Sequence, residues 1–156
     1  MPIGLLAAAV TLFVSIWHVA TTLPHHGGLG HVAGAWTGLA MDVADGIVYR
    51  PLWGEAGYGG TRFFPLHFVL HGLLIRGGVS VFTAGYLIGL GAMTALIAGA
   101  YRLMRTLGVP AMLAVPFALL VLSPQSSQHA LTAIRGDGLA AAIKHLGPGM
   151  LCPGVR

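Results

Sequence analysis

Two long stretches of this sequence carry no charged residue, Ile3 to Leu23 and Val79 to Tyr101. An uncharged apolar helix of about 20 residues matches the hydrocarbon core of a bilayer. The rest of the chain cannot wrap such helices in a water-facing shell. Only 8% of its 156 residues are charged, against roughly a quarter in a soluble domain. Lipid must therefore be the solvent for much of the chain. The eight Lys/Arg and four Asp/Glu leave a net charge of +4. These basic residues are scattered, so no nucleic-acid-binding stripe exists.

The first run reads as a membrane anchor rather than a cleaved leader. No Lys or Arg precedes it, it is long for a leader's apolar region, and no A-x-A site comes after it. A polar, glycine-rich section extends from Pro24 to Phe64 and holds Asp42, Asp45 and Glu55 with His25, His26 and His31. Within it, Val32, Trp36, Leu39 and Val43 recur at helical spacing. They predict a helix over His31–Asp45 that lies in the membrane surface, with His31, Gly34, Gly38, Asp42 and Asp45 on its wet side and Gly46 as its cap. Leu66 to Ile75 is too short to cross a bilayer and reads as a second interfacial helix or the lead-in to a span. A third span is expected over Val109–Leu122, kinked at Pro116 and extended by the residues beyond Leu122.

The expected fold class is thus all-α integral membrane, with about three transmembrane helices and interfacial juxtamembrane helices in the first external loop. Arg102 and Arg105 lie in the short turn Arg102–Gly108, which carries no acid and is expected to be cytoplasmic. The N-terminus then lies inside and Pro24–Phe64 outside. Residues 1–143 form the membrane domain. The apolar helix begun at Gly138 is expected to stop at Lys144 and Pro148, leaving 144–156 as an irregular tail that reads as a truncation. Cys152 is the lone cysteine, so no intramolecular disulfide forms.

Candidate chemistry gathers beside the membrane. Asp42 and Asp45 are i, i+3 neighbours, a spacing that suits a general base with a raised pKa or a shared divalent cation. The plain alternative is the solvated face of an interfacial helix. His31 shares that face but stands about 16 Å from Asp42 by helical rise, too far to act on the same proton. His67 and His71, at i, i+4, have the spacing of a two-histidine metal pair, with no third ligand evident and no intervening Glu. Arg50, Arg62 and Arg76 suit a lipid phosphate or pyrophosphate, or equally nonspecific headgroups and the nearby acids.

These features resemble the integral-membrane glycosyltransferases of GT-C type, which use polyprenyl-phosphate sugars. The stretch Asp45-Gly46-Ile47-Val48-Tyr49-Arg50-Pro51 is similar to the family's G-x-x-Y-R-D, and Phe64-Pro65-Leu66-His67 to its Y-P-P-L helix opening. Arg135-Gly136-Asp137 is similar to the R-x-D found before the family's fourth span. The order agrees over Ile3 to Ile143. The resemblance implies sugar transfer on the extracytoplasmic face of a bacterial inner membrane. Asp42, Asp45 and His31 are then the catalytic candidates, and Arg50, Arg62, Tyr49 and Asp137 the substrate contacts. A divalent cation is a candidate cofactor, with no metal ligands assigned. Expected partners are membrane lipids and the polyprenyl-phosphate sugar, with no nucleic acid. The family's early loop acid falls near His31, where this chain has none, and its enzymes are much longer. The expectation is an inactive amino-terminal fragment. The alternatives are a non-catalytic membrane scaffold or subunit, and a histidine-liganded metal or haem membrane protein.

Overall fold

The computed structural model describes residues 2–25, 30–49, 51, 53–54, 57–58 and 65–151. The described fold is all-α apart from one pair of two-residue strands. α1 is Pro2–Thr22, continued by a 3-10 turn to His25. α2 is His31–Ala44, and β1 (Trp53–Gly54) pairs antiparallel with β2 (Gly57–Tyr58). Next come α3 (Leu66–Arg76), α4 (Val81–Thr106), α5 (Ala111–Leu119) with a 3-10 turn to Leu122, α6 (Gln125–Thr132) and α7 (Asp137–Leu151).

Two helices are long and apolar enough to cross a membrane, α1 and α4. The expected third span does not form as one helix. α5 and its 3-10 turn give only Ala111–Leu122. Pro116 removes one main-chain donor, and although Ser123 keeps helical backbone (φ -70°, ψ -33°), Pro124 is extended (ψ 143°), so the helix yields there. α6 then restarts it. The two pieces together run antiparallel along α4. Ala118 and Leu119 lie by Ile97 and Ala98, Leu122 packs with Met93, and Ile134 sits on Gly85. α1 runs beside them in their own sense. Leu5 lies by Met112, Ser15 by Gln128 and His18 by Thr132.

Other boundaries also depart from expectation. Arg102 and Arg105 belong to the last turns of α4, where cations favour the helix C-terminus. The turn is the shorter Leu107–Gly108. α7 does not stop at Lys144 but continues to Leu151. A single proline deletes one hydrogen bond and kinks a helix, and a helix packed along a neighbour tolerates that. The strand pair Trp53–Gly54 and Gly57–Tyr58 falls within the glycine-rich section Pro24 to Phe64, for which the sequence suggested no strand.

α2 and α3 lie side by side at the end of the bundle opposite Leu107–Gly108. Trp36 meets His67 and Phe68, while Ala40 and Val43 meet Gly72, so the helices run in the same sense. A β-carbon on Gly72 would stand 2.7 Å from the Ala40 carbonyl and the Val43 side chain. Both helices end on glycines with positive φ, Gly46 at 93° and Gly78 at 89°. There Ile47 N–H donates to the Asp42 carbonyl and Val79 N–H to that of Leu74, satisfying carbonyls at each helix end.

Candidate functional site

The polar groups of the described chain concentrate where α2, α3 and the turn between α6 and α7 meet. Pairing α2 with α3 rotates α2 away from its expected setting. Its buried positions are Ala33, Ala40, Asp42 and Val43, while Val32 is 45% exposed. Asp42 is therefore buried rather than on a wet face. Periodicity defined a stripe but not the neighbouring helix that would cover it. Asp45 caps α2 and is exposed, so the two carboxylates occupy different environments rather than one shared site. His31 is exposed at the start of α2. Tyr49 is partly exposed and sets its ring edge-on to Phe68 at 6.1 Å. Arg50 and Arg62 lie outside the described residues, as do His26, Glu55 and Cys152.

Asp137 is the first residue of α7, and its carboxylate takes an ion pair from Arg135 at 2.8 Å. The side chains are 38% and 67% exposed, so the pair is worth at most about 1 kcal/mol. Its position matters more than its strength. Between the two charges, Gly136 packs so closely on α2 that a β-carbon would stand 2.7 Å from the Trp36 ring and 3.4 Å from the His67 β-carbon. Only glycine fits that approach without displacing Trp36. The expected R-x-D stretch thus packs against both α2 and α3, although a long stretch of sequence separates it from them.

His67 and His71 are both buried at this joint. The rings stand 5.8 Å apart at 81°, and the Trp36 ring meets His67 edge-on at 5.0 Å. His71 Nε2 lies 2.7 Å from the Val81 carbonyl, which fixes its proton on that nitrogen. Its Nδ1, both nitrogens of His67 and the Arg135 Nε have no hydrogen-bond partner among the described residues. Burial pushes the His67 pKa down to about 4, helped by the neighbouring His71 and opposed by the Asp137 charge. Burial likewise lowers His71, against the favourable bond to Val81. Both rings are neutral at pH 7. Among the described residues no third His, Cys, Asp or Glu joins them to complete a metal site. Two neutral imidazoles in a buried joint would leave a dication's charge uncompensated.

Sequence reasoning found the histidine pair by its spacing but missed what encloses it. Trp36 read as a lipid-facing residue of α2, and Gly136 as part of a charged motif. The bonds from the Gln128 amide to Ser15 Oγ (2.6 Å) and to the Leu122 carbonyl were also missed, as was the contact of Thr132 Oγ1 with His18 Nε2 at 3.4 Å. Gln128 with Ser15 and Thr132 with His18 join distant segments, and no local pattern announces such pairs. No family model, curated protein or solved structure matches the chain.

Proposed function

We propose that this chain is a multi-pass inner-membrane protein of glycosyltransferase type, transferring a sugar from a polyprenyl-phosphate donor at the extracytoplasmic face. The observation that carries the reading is the docking of Arg135-Gly136-Asp137 onto the paired helices α2 and α3, at the end of the bundle opposite Arg102 and Arg105. It supports an arrangement in which α1, α4 and the interrupted α5–α6 pair cross the bilayer, α2 and α3 lie on its outer surface, and the basic end of α4 faces the cytoplasm. In the reaction, the acceptor hydroxyl oxygen attacks the sugar's anomeric carbon and the bond to the phosphate oxygen breaks. Asp42 takes the hydroxyl proton, and the polyprenyl phosphate leaves with the electron pair. Arg135, positioned by Asp137, and Arg50 and Arg62, which fall between α2 and α3 in the sequence, stabilise its charge.

The test is transfer by the purified chain in lipid nanodiscs, offered radiolabelled polyprenyl-phosphate sugars and membrane acceptors. Turnover by the native chain that Asp42→Asn lowers about 100-fold or more would support the proposal and set aside the inactive chain that the resemblance implies. Donor binding without turnover would favour the non-catalytic subunit, and neither binding nor turnover would overturn the proposal. Topology is checked separately with single cysteines in a Cys152→Ser background. Gly57→Cys should react with an impermeant reagent from outside and Thr106→Cys should not; the reverse pattern refutes the orientation.

A further inference from the structure

We propose that the joint between α3 and the 133–137 turn is a proton-sensitive latch, closed while His67 and His71 are neutral and released when they take up protons. The geometry leaves the charged form nowhere to be solvated. Trp36 covers His67 on one side, and the backbone at Gly136 closes against both residues. Within that enclosure three of the four ring nitrogens have no partner among the described residues, and the fourth serves the Val81 carbonyl. A neutral ring leaves one donor and one acceptor unsatisfied. An imidazolium adds a second donor and a full charge, a far larger penalty for a ring buried this deeply. The charged rings regain hydration only when the turn parts from α2 and α3.

The surrounding groups do not relieve this cost. On α3 itself, His71 opposes a charge on His67, and Arg76 ends the helix with the same sign. α2 brings Asp42 and the exposed Asp45, and the first turns of α4 bring only Tyr86 as a titratable group. The turn and α7 bring Arg135 and Asp137. Of these acids, Asp137 is the one whose charge favours protonated His67, and it already holds Arg135. The sign comes from linkage. Both histidines have folded pKa values below the ordinary 6.5, so the open form binds protons more tightly. The closed joint keeps its full stability above pH 6.5 and loses it as pH falls toward 4. Opening then gains up to about tenfold per pH unit for each histidine that must be charged. The latch belongs to the fold and does not depend on the transfer reaction.

The experiment uses the full chain in nanodiscs, with Cys152→Ser and spin labels at Met41→Cys on α2 and Ile143→Cys on α7, both exposed positions. Distances between the labels are measured by electron–electron resonance from pH 7.5 to 4.5. A second, longer distance should grow below pH 6.5. His67→Gln and His71→Gln should each reduce the slope toward about tenfold per unit, and the double variant should flatten it. A native chain that keeps one distance to pH 4.5, or a double variant that responds like the native chain, overturns the proposal. Histidine side-chain NMR of the unsubstituted protein decides the matter if the variants fail to fold. Two of the eight histidines should remain neutral at pH 5.5 in the closed population; titration of all of them near 6.5 overturns the latch.

Discussion

The bundle and the α2–α3 end differ in the rings they enclose. Within the bundle the buried positions are mostly small: Ala8, Ala84, Gly85, Gly89, Ala92, Ala114 and Ala118, with Met93 and Leu122 filling the middle. The large apolar side chains point away from it, including Ile3, Leu6, Phe13, Trp17 and Met112. The α2–α3 end also buries small residues, Ala33, Ala40 and Gly72, and leaves Met41 and Leu73 exposed, but it encloses the rings of Phe68 and His71 completely, while His31 and Asp45 face outward. The difference fits the proposed placement, with lipid around the bundle and water over the α2–α3 end. Helices in lipid gain nothing by hiding a leucine, and associate through small residues that let backbones approach. A layer in contact with water gains by hiding its large apolar groups.

The sharpest way to break that comparison is to remove one large ring from each region. Phe68→Ala should cost about 3–5 kcal/mol in reversible unfolding from mixed micelles, because it empties a closed site. Phe13→Ala, 67% exposed on α1, should cost far less. Equal losses would mean that α1 is covered by protein rather than lipid. A smaller effect separates two glycines. Gly72→Ala drives a β-carbon into Ala40 and Val43 and should lose about 1–3 kcal/mol. Gly91→Ala has open space around it, so it should be neutral or gain up to about 1 kcal/mol from helix propensity. The same assay reads both, and a loss at Gly91 would place an unseen neighbour against α4. The smallest effect tests the polar link within the bundle. Gln128→Ala removes the donor to Ser15 and to the Leu122 carbonyl, and should cost about 0.6 kcal/mol, as such bonds do in membranes. A loss above about 2 kcal/mol would show that the break after Leu122 depends on this one amide.

These cases mark how much was legible in the sequence. The uncharged runs located α1 and α4, because length and lack of charge are local properties. His31, Gly46, Leu66 and Gly77-Gly78 bounded α2 and α3 to within a residue or two, since caps are also local. The facing of α2 was not legible. Its stripe was compatible with a lipid surface or with a helix, and only Gly72, far along the chain, makes the second choice. Asp42 changed from solvated to buried for that reason. The histidine pair was visible as a spacing, but its enclosure depends on Gly136, which carries no side chain to betray a contact. The division of the third apolar stretch was half visible: Pro116 promised a kink, while the restart at Gln125 had no local sign.

The close approach at Gly136 also sets an order of assembly. A chain made from its amino end completes α2 and α3 well before residues 133–137 exist, so Trp36 and His67 must wait with their shared surface uncovered. The piece that closes it follows α1 to α6 in the order of synthesis. Synthesis itself is therefore the clock for this joint, and a ribosome paused before Ile134 would hold the nascent protein with its histidine surface open to whatever meets it first.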